Sequence, residues 1–135
     1  MTATDVSAPA LEVAAANVRR LGLDVRLRQA DLLAGAAGPF DAVVANLPYV
    51  VDGELDQLAP EISRYEPRAA LAGGPDGLEP ARRLVTGAGA TPFVALEVGA
   101  GQAGSVAAML RAAAAGGVET VRDLAGIERV VVARR

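Results

Sequence analysis

The feature that most constrains the fold is an alternation of short apolar runs with segments of helical periodicity. One helix is predicted to begin after Ser7, which can cap it, with Pro9 in its first turn, and to end at Gly22. Further helices are predicted at residues 78–86 and 102–115, and strands at residues 25–28, 40–45 and 93–98. Residues 40–45 are typical of a strand buried on both faces. This alternation predicts an α/β fold with a parallel sheet.

The end of the chain departs from that alternation. Residues 118–124 and 127–133 are predicted strands joined by a tight connection around Gly126, so they must run antiparallel. Residues 50–76 are rich in proline, glycine and acidic residues, and we predict them to be irregular with one helical turn near Leu55. A length of 135 residues suits one domain.

Composition excludes several classes of chemistry. The sequence has neither histidine nor cysteine, which excludes imidazole catalysis, disulfides and thiolate metal sites, and no spacing indicates a carboxylate metal site. The net charge of −3 provides no basic surface for nucleic acid, so direct nucleic-acid binding is not expected. No apolar stretch is long enough to cross a bilayer and no signal peptide is recognised, which predicts a cytoplasmic protein without a membrane partner.

Polar residues follow the predicted strands, where parallel sheets bind their ligands. Asp5 stands where a strand would end and a helix begins, and its carboxylate can accept both hydroxyls of a ribose. Asp31, which precedes Leu32, follows the next strand and can meet an adenine amino group. Each aspartate, taken alone, is equally typical of a helix or turn cap.

The tetrapeptide Asn46-Leu47-Pro48-Tyr49 follows the strand at residues 40–45 and is the most informative motif. An amide nitrogen is a poor nucleophile, so methylating it requires two acceptors, one for each N–H. The Asn46 side-chain oxygen and the Leu47 carbonyl can serve, Pro48 restricts the backbone, and Tyr49 offers a flat face for a planar group. The alternative interpretation is an ordinary turn after a strand.

A second glycine-rich motif follows the strand at residues 93–98. Gly99, Gly101 and Gly104 fit the G-x-G-x-x-G pattern between a strand and a helix, which is the context of a dinucleotide-binding loop. Too few residues follow to build the rest of a nucleotide-binding half. No acidic residue ends a clear strand at the expected distance. The alternative, a tight strand-to-helix turn, is favoured.

With these residues placed, the chain resembles the protein-(glutamine-N5) methyltransferases that act on peptide chain release factors. The resemblance runs from Asp5 to Arg134, and its most family-specific part is the run from Tyr65 to Leu78. It includes Tyr65-Glu66-Pro67-Arg68, Ala70-Leu71, Gly73-Gly74-Pro75-Asp76-Gly77-Leu78, Glu97-Val98-Gly99, Gly101-Gln102 and Arg122-Asp123-Leu124-Ala125-Gly126. It implies that the Gly99 turn is not the cofactor loop.

The resemblance implies a fold, a cofactor and a partner. The fold would be a Rossmann-like S-adenosylmethionine-dependent methyltransferase sheet with an antiparallel final hairpin. Asn46, Leu47, Pro48 and Tyr49 would form the catalytic tetrapeptide, and Asp5, Asp31, Leu32 and Asn46 would bind S-adenosylmethionine. The acceptor would be a glutamine side-chain amide in the Gly-Gly-Gln motif of release factors.

The sequence departs from the family in two ways. The family usually has proline where Leu47 stands, and leucine there is familiar from dimethyladenosine methyltransferases, which leaves an adenine amino group as an alternative acceptor. The family's N-terminal helical domain, first strand and glycine loop do not precede Asp5, so residues 1–135 are expected to be a partial catalytic domain. We expect this chain to bind the cofactor weakly or not at all, and a non-catalytic remnant or interaction partner is a further alternative.

Overall fold

The computed structural model describes residues 1–36, 38–113 and 116–135, which divide into two compact units, Met1–Gly38 and Pro39–Arg135. The first unit contains β1 (Thr2–Asp5), α1 (Ala8–Leu21) and β2 (Arg26–Gln29). The second contains β3 (Ala42–Asn46), a 3-10 helix (Asp52–Gln57), α2 (Pro60–Ser63), α3 (Arg68–Leu71), α4 (Glu79–Ala88), β4 (Phe93–Glu97), α5 (Ala103–Ala113), β5 (Gly117–Arg122) and β6 (Glu128–Arg134). The α/β prediction is confirmed.

The first unit is a parallel β-α-β arrangement. Strands β1 and β2 pair in parallel, with Asp5 opposite Gln29, and α1 connects them. The predicted caps of α1 are confirmed: the Ser7 side chain accepts from the Ala10 N–H, and Gly22 adopts the left-handed conformation with φ of 63°. This arrangement brings the carboxyl ends of β1 and β2 to one edge.

The second unit contains a mixed four-stranded sheet in the order β3-β4-β6-β5. Strands β3 and β4 are parallel, whereas β6 is antiparallel to both β4 and β5, which confirms the predicted final hairpin. Among the described strands β1 and β3 lie in separate sheets. Helix α5 packs on β5, β6 and α4. The part of the predicted helix at residues 114–115 lies outside the described residues.

The buried apolar side chains of the described chain all belong to the second unit. Strand β4 supplies Val94 and Leu96, β6 supplies Val131, and α5 supplies Val106 and Leu110, each almost fully buried. These aliphatic side chains hold the helices on the sheet by removing apolar surface from water. Strand β4, which pairs with β3 on one side and with β6 on the other, therefore lies in the core of this unit.

One strand prediction is wrong. Strand β3 is buried on only one face: Val43 lies in the core, whereas Val44 is 75% exposed. Successive side chains of a strand point to opposite faces, so Ala42, Val44 and Asn46 share the open face. An apolar run in the sequence does not show whether other elements cover both faces of the strand. The prediction that β3 is buried on both faces was wrong for this reason.

The region at residues 50–76 is more ordered than predicted. The helical turn near Leu55 is confirmed as the 3-10 helix, which buries Leu55 in the core. Two further single-turn helices, α2 and α3, follow it. Both are short and have no side-chain cap at their first turn, so sequence periodicity gives no sign of them.

A buried valine in β4 and an exposed valine in β3 provide a matched test of how each contributes to stability. Val94→Ala removes two methyl groups from a side chain that is 1% exposed, and we expect a loss of about 2–3 kcal/mol in the free energy of unfolding. Val44→Ala, on the open face of the neighbouring strand, should change it by no more than about 0.5 kcal/mol. Urea denaturation of both variants measures the difference, and equal losses would contradict the assignment of the open face.

Candidate functional site at the carboxyl end of β3 and β4

The tetrapeptide Asn46-Leu47-Pro48-Tyr49 begins at the last residue of β3. Asn46 pairs in register with Glu97 of β4, and the two strands are parallel, so their carboxyl ends meet at one edge. Asn46 is exposed on the open face, and the next residue, Leu47, is buried in the core. Because successive side chains of a strand point to opposite faces, the Asn46 side chain points to solvent, and the buried Leu47 side chain anchors the tetrapeptide in the core.

Neither of the two predicted acceptor oxygens has a hydrogen-bond partner in a loop or a side chain of the described residues. Among the described residues, the Asn46 amide makes no hydrogen bond to another side chain or to a loop. Likewise, no loop N–H in that part of the chain donates to the Leu47 carbonyl. Pro48 follows Leu47 directly, which keeps Leu47 in extended backbone. Asn46 and Leu47 are adjacent in the chain, so these two oxygen atoms lie at the same end of β3.

The far end of the tetrapeptide is anchored by hydrogen bonds to the segment at residues 71–77. Val50 donates from its N–H to the Leu71 carbonyl at 2.9 Å and accepts from the Gly73 N–H at 2.8 Å. The Tyr49 carbonyl accepts from Nε2 of Gln102 at 2.9 Å. Pairing with β4 therefore holds the start of the tetrapeptide at Asn46. The hydrogen bonds of Tyr49 and Val50 hold its other end.

Three glycines allow this close packing. A Cβ atom at Gly77 would lie 2.5 Å from both the Tyr49 carbonyl oxygen and Gln102 Nε2, and one at Gly73 would lie 2.8 Å from Tyr49 Cα. At Gly99 it would lie 3.0 Å from Cδ2 of the Tyr49 ring. The family-specific run at residues 65–78 thus contributes a segment that only glycine allows to approach the tetrapeptide.

A charged pair fixes the same segment to helix α4. Asp76 Oδ1 accepts from the Leu78 N–H at 3.2 Å and from Arg82 Nη1 at 3.1 Å, and Arg82 Nη2 contacts the second carboxylate oxygen. The hydrogen bond from Arg82 holds the pKa of Asp76 below its usual value, and the Leu78 N–H acts in the same direction. Asp76 therefore remains charged at the start of α4.

The Gly99 turn does not have the properties of a dinucleotide loop. Its context, between β4 and α5, is the one predicted. However, the Gly99 N–H already donates to Oε1 of Gln102 at 2.9 Å, whereas a phosphate-binding loop presents its N–H groups to the ligand. Added Cβ atoms at Gly101 and Gly104 would meet open space. The favoured interpretation as a tight turn agrees with these contacts.

The remaining predicted residues lie in the first unit, at the carboxyl ends of β1 and β2. Asp5 is exposed, and its Oδ1 accepts from the Ser7 N–H at 2.7 Å, as its capping alternative predicted. Its second carboxylate oxygen leaves acceptor capacity for a hydroxyl group. Asp31 is exposed just after β2, whose last residue, Gln29, lies two positions before it.

Leu32 has an uncommon backbone conformation. Its φ of 53° makes it the one described non-glycine residue in the left-handed region, which is costly for a side chain branched beyond Cβ. Its carbonyl accepts from Oγ1 of Thr4 at 2.8 Å, which ties the turn to β1. Strained backbone of this kind concentrates at ligand-binding sites.

The sequence of the chain is similar to those of known methyltransferases. No family model matches the chain. It is 43% identical over 141 residues to a release factor glutamine methyltransferase of Gloeobacter violaceus, covering 96% of this chain and 48% of that protein. A Deinococcus radiodurans protein of the same name is 43% identical over 138 residues, covering 100% of this chain and 49% of that protein. The chain belongs to the protein glutamine methyltransferase family.

Other relatives and solved structures agree with this family. The ribosomal protein uL3 glutamine methyltransferase of Neisseria meningitidis is 46% identical over 88 residues, covering 64% of this chain and 29% of that protein. A methyltransferase structure from Pyrococcus furiosus has a TM-score of 0.69 at 19% identity, covering 98% of this chain and 61% of that one. A release factor-specific protein-(glutamine-N5) methyltransferase from Alicyclobacillus acidocaldarius has a TM-score of 0.50 at 23% identity, covering 99% and 78%.

The curated relatives confirm the family predicted from the sequence, and the solved structures confirm a methyltransferase fold. The chain spans about half the length of the curated relatives it matches. No helix in the described part of the chain is long and apolar enough to cross a membrane. Within the same residues, no group of three acidic side chains is placed to hold a metal ion.

The glycine packing gives a testable prediction. Gly77→Ala should lower the free energy of unfolding by more than about 2 kcal/mol, because φ of 73° and a Cβ contact of 2.5 Å both oppose alanine. Gly104→Ala, in α5 with open space around its Cβ, should raise it by up to about 1 kcal/mol through helix propensity. Thermal and urea denaturation of the two variants compare the sites. A Gly77→Ala protein as stable as wild type would refute the packing.

Proposed function

We propose that this chain is part of the catalytic domain of a protein-(glutamine-N5) methyltransferase that modifies the Gly-Gly-Gln glutamine of peptide chain release factors in the cytoplasm. The observation that supports it most is the exposed Asn46 amide beside the Leu47 carbonyl, at the carboxyl end of β3 and without partners among the described residues. The named relatives favour a glutamine amide as acceptor.

In this proposal two oxygen atoms of the protein accept hydrogen bonds from the NH₂ group of the substrate glutamine and so prepare it for methylation. The acceptor amide donates one N–H to Asn46 Oδ1 and the other to the Leu47 carbonyl. The two acceptors raise electron density on the nitrogen, which is otherwise delocalised into its own carbonyl. They also hold the nitrogen in one orientation, and positioning of this kind can supply much of the rate enhancement. Tyr49, which is half-buried, supplies a flat surface against the planar amide.

The first unit contains residues that fit the cofactor. When bound, S-adenosylmethionine supplies an electrophilic methyl group on its sulfonium. The exposed Asp5 carboxylate would accept from the ribose hydroxyls, and Asp31 with the strained Leu32 would contact the adenine. The new carbon–nitrogen bond would form as the bond between the methyl carbon and the sulfonium sulfur breaks, which would leave a neutral thioether, and the nitrogen would release one proton to water. Neither aspartate takes part in the transfer.

Mutation of Asn46 tests the proposed function. Asn46→Ala removes one of the two acceptors, and we expect methyl transfer to a release factor to fall by at least about 100-fold. Asn46→Asp keeps an acceptor oxygen and should retain more activity than alanine. Asn17→Ala, at an exposed asparagine on α1, serves as the matched control. Radiolabelled methyl transfer gives the rates, and full turnover by Asn46→Ala would end the proposal.

The acceptor protein is tested separately. Relatives named for ribosomal protein uL3 share the glutamine chemistry with those named for release factors. Purified release factor, uL3 and an adenine-containing RNA should be offered in parallel. The proposal expects methylation of the release factor at its Gly-Gly-Gln glutamine, located by mass spectrometry. Transfer to RNA alone would replace the amide by an adenine amino group as acceptor.

Cofactor binding by the first unit has its own test. We expect weak binding of S-adenosylmethionine to this chain, and Asp5→Asn should weaken it at least about tenfold because hydrogen bonds to a charged group are lost. The asparagine oxygen can still accept from the Ser7 N–H, so the fold should persist. Asp24→Asn, at another exposed aspartate of that unit, is the control. Titration calorimetry measures both, and equal affinities would remove Asp5 from the site.

A further inference from the structure

Gln102 connects three separate parts of the second unit through one half-buried side-chain amide. Its Oε1 accepts from the Gly99 N–H at 2.9 Å, and its Nε2 donates to the Tyr49 carbonyl at 2.9 Å and to the Gly77 carbonyl at 3.3 Å. These partners belong to the turn after β4, the tetrapeptide and the segment before α4. The side chain therefore fastens the tetrapeptide to two neighbouring segments.

The contact requires an amide. Glutamine offers one acceptor oxygen and two donor hydrogens in a single plane, which match one N–H and two carbonyls. A carboxylate can accept from Gly99 but cannot donate to either carbonyl, so its charge would face two further oxygen atoms. Alanine would leave all three backbone groups without this partner. The backbone partners also determine which end of the amide bears the oxygen.

The surrounding glycines show that the fit is close. A Cβ at Gly99 would lie 2.9 Å from Gln102 Oε1, and one at Gly77 would lie 2.5 Å from Gln102 Nε2. The backbone of Gln102 is itself fixed, since its N–H donates to the Gly99 carbonyl and its carbonyl accepts from Val106 in α5. The amide thus has little freedom to move away from Tyr49.

We propose that Gln102 is a positioning residue that sets the orientation of the tetrapeptide through the Tyr49 carbonyl. This inference rests on the proposed function, because Gln102 would orient the Asn46 and Leu47 oxygens that are proposed to accept hydrogen bonds from the substrate amide. Strand pairing fixes the backbone of β3 as far as Asn46. The hydrogen bond from Gln102 then fixes the backbone at the Tyr49 carbonyl, three residues later. A displacement of about 1 Å at such a site costs on the order of 100-fold in rate.

The test compares Gln102→Glu with Gln102→Ala and with Gln57→Glu as the matched control. Gln57 lies in the 3-10 helix and is exposed, and within the described part of the chain its side chain donates to the Gly53 carbonyl alone. We expect Gln102→Glu to lower kcat for release factor methylation by about 100-fold near pH 8, with KM changed by less than about threefold. Gln57→Glu should match wild type.

A pH profile separates positioning from a general structural role. The introduced carboxyl group would face two carbonyl oxygens, which raises its pKa, and once protonated it can donate to Tyr49 while still accepting from Gly99. Relative to wild type, kcat of Gln102→Glu should therefore recover at least about tenfold between pH 8 and pH 6. Gln102→Ala should show no recovery. A parallel profile for Gln102→Glu and wild type would overturn the positioning role.

A spectroscopic measurement tests the inference without turnover. The chain has two tyrosines and no tryptophan, and Tyr65 is 82% exposed, so a Tyr65→Phe background leaves Tyr49 as the reporter. Acrylamide quenching of Tyr49 should increase at least about twofold in Gln102→Glu at pH 8 and return toward the background value at pH 6. Unchanged quenching would overturn the inference. A wild-type chain that binds S-adenosylmethionine but transfers no methyl group to a release factor would refute the proposed function, and the quenching measurement would still decide the role of Gln102.

Discussion

The parallel pairing of β3 with β4 is the constraint on which the candidate site depends. Because Asn46 stands opposite Glu97, the tetrapeptide and the Gly99 turn leave the sheet at the same edge. Val94 and Leu96, almost wholly buried in β4, fix the position of that pair in the core. A shift of one residue in the register would exchange the two faces of β3, turning Asn46 inward and exposing Leu47.

Close packing of backbone against backbone gives the site its rigidity. Gly73, Gly77 and Gly99 allow three segments to meet around Tyr49 at distances that a Cβ atom would prevent. The Gln102 amide then satisfies a backbone N–H and two carbonyls that this packing brings together. The proposed catalytic role of the Asn46 and Leu47 oxygens would require this rigidity, because their contribution to the rate would come mainly from orienting the acceptor amide.

The first unit has no buried side chain among its described residues and is held by backbone pairing and local caps. No side chain of α1 is buried, and Asp5 and Ser7 satisfy the backbone at the start of that helix. The left-handed Leu32 is held by the hydrogen bond from Thr4 to its carbonyl. The turn after β2 therefore shapes this edge of the unit, where Asp5 and Asp31 are exposed and Leu32 is half-buried.

Local patterns in the sequence determined the element types, the caps of α1, the final hairpin and the position of the tetrapeptide after β3. Each of these depends on residues that are near neighbours in the chain, such as Ser7 with Ala10. Tertiary structure alone decided that one face of β3 is open, that Leu32 is left-handed, and that Gln102 reaches Tyr49 and Gly77. Those last contacts join residues 53 and 25 positions apart, and no local periodicity encodes a meeting over such distances.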